Sequence, residues 1–116
     1  MRIVESIYVC APLAGAVMAN HKRVEMAVNK LAEEWKRTHG DDIRPLFIVP
    51  HFTMRHITYD LIDGELDREW GMACCLELVR MCDTLIVVGS DITMGMSKEI
   101  DYALTLNKKV ERRDDL

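Results

Sequence analysis

The stretch that decides the fold is TLIVVGSDITMGMSKE, residues 84–99. Its first five residues are Thr84 and the unbroken apolar run Leu85–Val88, which is typical of a strand buried on both faces of a parallel sheet. Gly89 and Ser90 end this strand, and Gly95 opens a segment whose apolar residues recur at helical spacing. The stretch therefore predicts a strand, a polar loop and a helix in succession, as in α/β proteins.

The same alternation extends in both directions along the chain. Apolar runs at 6–11 and 45–49 predict two earlier strands, and helical periodicity predicts helices over 20–38 and 66–81. Asn20 is the expected N-cap of the first helix, which ends in a basic turn followed by Gly40. Residues 108–110 are predicted to form a last edge strand, and 112–116 a frayed tail. Residues 51–63 show no sustained period and are interpreted as a loop or a short helical turn.

The order β-α-β-α-β-α-β predicts the fold class. Because crossovers between parallel strands are right-handed, the helices cover both faces of one parallel sheet. We therefore expect a flavodoxin-like, Rossmann-like three-layer α/β sandwich with four or five parallel strands in the order 2-1-3-4. No repeat or linker interrupts the pattern, so residues 1–116 are predicted to form a single domain.

Composition and charge exclude several classes of protein. The chain has 116 residues, of which 49% are hydrophobic and 29% charged, so a disordered chain is excluded. No apolar run approaches the roughly 20 residues that a membrane span requires, and no signal peptide precedes the first strand. The net charge of -4 is opposite in sign to that of a protein built to neutralise nucleic-acid phosphates. We therefore expect a cytoplasmic domain that binds neither membranes nor nucleic acid.

The four cysteines do not predict a metal site. Cys74, Cys75 and Cys82 lie in one helical stretch, where successive positions diverge by about 100°. They are expected, with Cys10, to be reduced and mostly buried thiols. No cofactor is predicted.

Ligands of such sheets bind beyond the carboxyl ends of the strands, near the switch point between strands one and three. This rule selects the loops at 11–20, 50–63 and 89–97. Small residues in the first loop permit close approach to a backbone that leads into a helix N-terminus, although a plain connection would look the same. Hydroxyl, carboxylate and glycine residues in the third loop suit a phosphate or a sugar. The predicted ligand-binding residues are Ala11, Pro12, Gly15, Asn20, His51, Gly89, Asp91, Thr93, Gly95, Met96 and Ser97.

Two residues near these loops have alternative interpretations. Glu99 lies in the first turn of the third predicted helix, where the helix dipole favours an ionised carboxylate that is competent as a nucleophile or base. An ordinary helix-stabilising acid explains the same position. His51 either lines the ligand site or is a structural histidine that caps a turn.

Together these segments resemble the nucleoside 2-deoxyribosyltransferase-like superfamily, and more closely its short members of unknown function. The resemblance covers about residues 5–110 in family order. The segments that carry it are Ile7–Pro12 with Gly15, Asn20 with Arg23 and Ala27, Pro50-His51, Gly71-Met72 with Cys82–Leu85, and Thr93–Glu99 with Ala103.

The resemblance implies a specific chemistry. Glu99 matches a glutamate that attacks C1′ of a deoxyribosyl group and expels the base, as the nucleophile of a retaining glycosidase does. A base acceptor then gives transfer, and water gives hydrolysis. Tyr8 matches a tyrosine that orients this carboxylate, and Thr93 stands where phosphate-binding relatives have a serine, which favours a nucleotide. In relatives a neighbouring subunit helps to cover the site, so the resemblance also implies a homodimer or a higher homo-oligomer.

The chain departs from the catalytic pattern at three positions. Cys75 stands where active relatives have an aspartate, and Pro12 and Ala14 stand where 5′-monophosphate hydrolases have a serine and an arginine. A thiol replaces neither the hydrogen bonds nor the proton transfer of a carboxylate. Asp63, Asp67 and Glu69 are candidates to replace the carboxylate. His21, Lys22 and Arg23 are candidates to replace the charge of the arginine, although a solvated helix start explains them as well. The predicted function is an enzyme of the N-glycosidic bond of a nucleoside or nucleotide, and the alternatives are a non-catalytic module for a nucleotide-derived small molecule and a structural or partner-binding protein.

Overall fold

The computed structural model describes residues 3–12, 17–50 and 65–116. Helices and strands alternate in the predicted order, and the segment 51–63, predicted as a loop or turn, lies outside the described residues. The elements are β1 (Val4–Cys10), α1 (Val17–His39), β2 (Arg44–Ile48), α2 (Glu65–Met81), β3 (Thr84–Val88), α3 (Met94–Thr105) and β4 (Lys109–Arg113).

The four described strands form one parallel sheet in the order β2-β1-β3-β4, which confirms the predicted topology. β1 and β3 are the central pair, and Cys10 lies opposite Val87 near their carboxyl ends. All five residues of β3 are buried, as the unbroken apolar run predicts for a strand covered on both faces. The switch point of the sheet therefore lies where β1 and β3 end.

Helices cover both faces of the sheet, as predicted for a three-layer sandwich. On one face, α1 packs Val24 and Ala27 against Val9 of β1. On the other face, α2 and α3 pack against Tyr8 and Cys10 of the same strand. Because successive residues of a strand point to opposite faces, Tyr8 and Cys10 share the layer of α2 and α3, whereas Val9 faces α1. None of the described helices is long and apolar enough to cross a membrane.

The start of α1 differs from the prediction. The helix begins at Val17, so Asn20 lies in its first turn and is not the N-cap. The earlier start is compatible with the sequence, because none of the residues 17–19 is a proline or a glycine. The predicted end is confirmed: Gly40 has a φ of 63° and donates its N–H to the Lys36 carbonyl at 3.0 Å, which closes the helix.

The predicted frayed tail is wrong. β4 continues to Arg113, whose carbonyl accepts a hydrogen bond from Gly89 N at 2.9 Å. The Arg113 guanidinium also binds both carboxylate oxygens of Glu34 on α1, at 2.6 and 3.0 Å. These partners lie far away in sequence, so charged residues that look like a solvated tail are held in an edge strand.

A polar contact at the opposite end of the sheet fixes α2 relative to β1. Both the backbone N–H and the hydroxyl of Ser6 donate to Asp83 Oδ2, at 2.9 and 3.0 Å. The backbone N–H of Asp83 donates in turn to the Ser6 carbonyl at 2.9 Å. The turn that joins α2 to β3 is thereby attached to the central strand, which positions the side chains that α2 presents to β1.

Candidate active site

The candidate site is built on two alternate residues of the central strand β1. Tyr8 and Cys10 are both completely buried and point into the layer of α2 and α3. β1 lies between β2 and β3, so its backbone is hydrogen-bonded along both edges. Side chains on such a strand occupy well-defined positions, which is what a catalytic group requires of its neighbours.

Glu99 approaches these residues from α3. The helix begins at Met94, and the Thr93 hydroxyl caps it by accepting the N–H of Met96 at 3.2 Å. Glu99 is therefore in the second turn, not the first as predicted. It is only 7% exposed, which is rare for a glutamate and requires specific partners.

The partner that the structure shows is Cys10. Its thiol donates a hydrogen bond to Glu99 Oε2 at a sulfur-to-oxygen distance of 3.2 Å. A second acceptor, the carbonyl of Met96, lies 3.9 Å from the same sulfur. Cys10 was not among the predicted site residues. The available signal was its spacing of two residues from Tyr8, which places both side chains on one face of the strand.

Burial decides the charge state of Glu99. It raises the pKa of this carboxyl from 4.5 to about 7, while the neighbouring Cys10 thiol and Tyr8 hydroxyl lower it. The helix dipole contributes little to the ionisation of Glu99, because the carboxyl lies beyond the first turn, where the dipole acts, and away from water. A carboxyl with this pKa is close to half ionised at neutral pH.

Tyr8 and Cys75 complete the group around this carboxylate. The Tyr8 hydroxyl is fully buried and makes no hydrogen bond of normal geometry with any described residue, although Glu99 and Cys75 both lie close enough to influence it. Cys75, on α2, is 2% exposed, and burial followed by the charge of Glu99 raises the pKa of its thiol to about 12. We call Tyr8, Cys10, Cys75 and Glu99 the Glu99 cluster.

Of the three predicted ligand loops, the third, residues 89–97, is described throughout and follows the carboxyl end of β3. Asp91, Thr93 and Ser97 are exposed around the start of α3 and are available to a ligand. The Met96 side chain is 1% exposed and belongs to the same buried core as Tyr8 and Cys10, and its carbonyl lies 3.9 Å from the Cys10 sulfur. Placement of the remaining residues is mixed: Ala11 and Gly89 are buried, Pro12, Asn20 and Gly95 are half-buried, and Gly15 and His51 lie outside the described residues.

Gly89 lies against Arg23, a charged residue near the start of α1. It has a φ of 83°, and the Arg23 guanidinium of α1 lies where a side chain at position 89 would be. The guanidinium also donates to the Leu116 carbonyl at 3.4 Å. A positive charge is thereby brought to the carboxyl end of β3, at the beginning of the third loop.

Other sites are less suited to the predicted chemistry. A cavity of about 500 Å³ lies on the α1 face, between that helix and Leu116, and therefore across the sheet from Glu99. Within residues 3–12, 17–50 and 65–116, no three His, Cys, Asp or Glu side chains converge as metal ligands would. None of the four cysteines, all within these ranges, forms a disulfide.

The fold and the cluster together define a class: a parallel α/β domain that presents a buried glutamate and tyrosine at its switch point. The chain matches, over residues 5–113, the family described as Domain of unknown function (DUF7768), and it belongs to that family. Among solved structures it is similar to a 2-deoxyribosyltransferase from the psychrotolerant bacterium Bacillus psychrosaccharolyticus, with a TM-score of 0.59 and 19% identity over 92% of this chain and 70% of that chain. This likeness shows a nucleoside 2-deoxyribosyltransferase-like fold, as the sequence segments implied. No curated protein matches the chain.

Proposed function

We propose that this protein acts on the N-glycosidic bond of a (deoxy)nucleoside or nucleotide, with Glu99 as the nucleophile. The observation that carries the proposal is the buried Glu99 carboxylate, hydrogen-bonded by Cys10 beside the carboxyl end of β1. Structural glutamates seldom occupy such positions, because removing a carboxylate from water is costly. The deoxyribosyltransferase-like fold supports the same interpretation.

The proposed reaction needs one ionised oxygen of Glu99 at the anomeric carbon. The bond between C1′ and the base nitrogen breaks, its electron pair leaves with the base, and a bond forms between C1′ and the carboxylate oxygen. A second base then displaces the glutamate in transfer, or water does so in hydrolysis. Both halves pass through a positively charged sugar, which a carboxylate in a site with little water stabilises strongly.

Residues of the loops around α3 are the proposed contacts of the sugar and of any phosphate. Thr93 already accepts the Met96 N–H, so its hydroxyl proton remains available to a ligand oxygen. Asp91 and Ser97 are exposed beside it, and Arg23 supplies a positive charge next to Gly89. The Arg23 charge and the hydroxyls of Thr93 and Ser97 favour a nucleotide over a bare nucleoside, whereas Asp91 suits a sugar hydroxyl. Gly15 and His51 remain proposed ligand residues.

The direct test is release of free base. The protein is incubated with each deoxynucleoside and its 5′-monophosphate, and chromatography measures the base with and without a second base as acceptor. Glu99→Gln should abolish release, whereas Asp101→Asn, an exposed acid on the same helix, should leave it unchanged. Base release that survives Glu99→Gln would show that another group is the nucleophile.

Cys75 favours a second candidate, a non-catalytic module that binds a nucleotide-derived small molecule. Its thiol keeps its proton at neutral pH, because burial and the charge of Glu99 raise its pKa to about 12. It therefore transfers a proton to a leaving base poorly. A nucleotide that raises the melting temperature while no base is released would support this candidate.

We also propose that the protein is a homodimer or a higher homo-oligomer whose partner subunit covers the ligand loops. Two large apolar side chains of the third ligand loop and the start of α3, Ile92 and Met94, are exposed. Light scattering at micromolar concentration measures the mass in solution. A monomer mass of 13.3 kDa would contradict the proposal.

A further inference from the structure

The hydrogen bond between Cys10 and Glu99 is an unusual arrangement for a buried carboxylate. The two residues are 89 positions apart, on β1 and α3, and only the fold brings them together. Thiols are weak donors, and an acid is more often held by a hydroxyl, an amide or a cation. Of the two acceptors near the Cys10 sulfur, Glu99 Oε2 at 3.2 Å is much closer than the Met96 carbonyl at 3.9 Å.

We propose that Cys10 is a positioning residue, whose thiol holds Glu99 Oε2 and thereby directs the other oxygen, Oε1, towards the ligand edge of the sheet. The inference rests on the proposed function, in which Glu99 is the nucleophile. The donor stands on the central strand, with its Cα opposite Val87, so the carboxylate is held by the most rigid part of the molecule. Because the donor is uncharged, it orients the carboxylate without neutralising it.

The same bond adjusts the charge of the nucleophile. The groups that face Glu99 are Tyr8 and Cys10 from β1 and Cys75 from α2, and Arg112 of β4 acts on Cys10 by its positive charge. Burial raises the pKa of Tyr8, Cys10 and Cys75, so each stays protonated near neutral pH. Glu99 is thus the member of the cluster that changes charge in this range, and the Cys10 thiol stabilises its ionised form.

Substitution of Cys10 should therefore move a pH profile. In Cys10→Ala, the ionised form loses its donor, and the acidic limb of the rate of base release should shift upward by about one pH unit, a tenfold change in acid dissociation constant. Cys10→Ser should lower the midpoint below that of the unmodified protein, because a hydroxyl is the stronger donor. Cys82→Ala is the matched control: this thiol is equally buried in the same core but makes no contact with Glu99 in the structure. Its profile should coincide with that of the unmodified protein.

A measurement that needs no turnover separates this inference from the proposed function. Carbon NMR of the Glu99 carboxyl, assigned by loss of its signal in Glu99→Gln, gives the titration midpoint directly. An upward shift in Cys10→Ala but not in Cys82→Ala supports the positioning role even if no base is released. Unshifted midpoints in both Cys10 variants overturn it, whether or not the protein is an enzyme. If Cys10→Ala does not fold, Cys10→Ser decides: an unchanged midpoint and an unchanged rate at every pH would overturn the role.

Discussion

The Arg23 guanidinium on α1 lies over Gly89 at the carboxyl end of β3, in the space that a side chain at position 89 would occupy. Gly89 has a φ of 83°, which residues with a Cβ rarely adopt. The contact links the helix after the first ligand loop to the start of the third. Two independent features therefore favour glycine at position 89: the backbone conformation and the space that the Arg23 guanidinium occupies.

Gly89→Ala should lower the free energy of unfolding by about 1–3 kcal/mol, through left-handed backbone strain and displacement of Arg23. Urea unfolding measures the loss. In an Arg23→Ala background the displacement disappears but the strain remains, so the same substitution should cost less there. Equal losses in both backgrounds would show that the guanidinium contributes nothing.

Arg113 should stabilise the edge strand through its ion pairs with Glu34 and with the exposed Asp115. The bidentate hydrogen bonds between Arg113 and Glu34 are largely shielded from water. Arg113→Ala should therefore lower the free energy of unfolding by about 1 kcal/mol. The Arg113 guanidinium lowers the pKa of Glu34 below 4.5, so the contribution is present above that pH and is lost as the pH falls through the folded value. The difference between the two proteins should therefore shrink below about pH 4.5. Lys109→Ala, an exposed substitution in the same strand, should show no such dependence.

Glu99 should lower the stability of the protein at alkaline pH. Burial raises its pKa from 4.5 to about 7, so between these values the folded protein holds a proton that the unfolded chain has lost. The free energy of unfolding therefore falls as the pH rises through this window. At pH 8 we expect Glu99→Gln to be more stable than the unmodified protein by about 3 kcal/mol, with little difference at pH 4.5.

Urea unfolding at both pH values measures this effect, and Asp101→Asn, an exposed acid on the same helix, is its control. A stability difference between Glu99→Gln and the unmodified protein that does not change with pH would contradict the raised pKa.

Tyr8→Phe should change the pKa of Glu99 without lowering the stability of the protein. The hydroxyl is buried without a hydrogen bond of normal geometry from the described residues, so its removal should leave the melting temperature unchanged or slightly raised. Because the hydroxyl lowers the pKa of Glu99, that pKa should rise in the variant. Thermal unfolding and carboxyl NMR measure the two effects, with Tyr102→Phe as the control. A clear loss of stability would mean that the hydroxyl has a strong partner.

The apolar pattern predicted the fold because it reflects local geometry. The bounds of β3 were predicted correctly, since Thr84 and four apolar residues lie between Asp83 and Gly89, two residues that end an apolar run. The end of β4 was predicted too early, because the charged residues Arg112 and Arg113 resemble a solvated tail. These two residues are held in the strand by pairing with Val87 and Val88 and by the contacts of Arg113 with Gly89 and Glu34, all of which lie elsewhere in the chain.

The candidate site divides in the same way. Glu99 and Tyr8 were predicted from short segments, and the fold brings both into one buried cluster. Cys10 was missed as a partner, because a thiol in an apolar run looks like any core residue until the position of α3 is known. The raised pKa of Glu99 could not be predicted, since sequence position reveals the helix dipole but not the water that packing removes.

The sequence by itself determined the order of elements, the parallel sheet and the edge at which a ligand site lies, because periodicity and chain connectivity are local properties. Only the tertiary structure decided which groups surround Glu99, how far its pKa rises and that the C-terminal residues form an edge strand. These depend on burial and on contacts between residues as far apart as Cys10 and Glu99. Burial and hydrogen bonding depend on distances in space, and the order of residues along the chain does not give those distances.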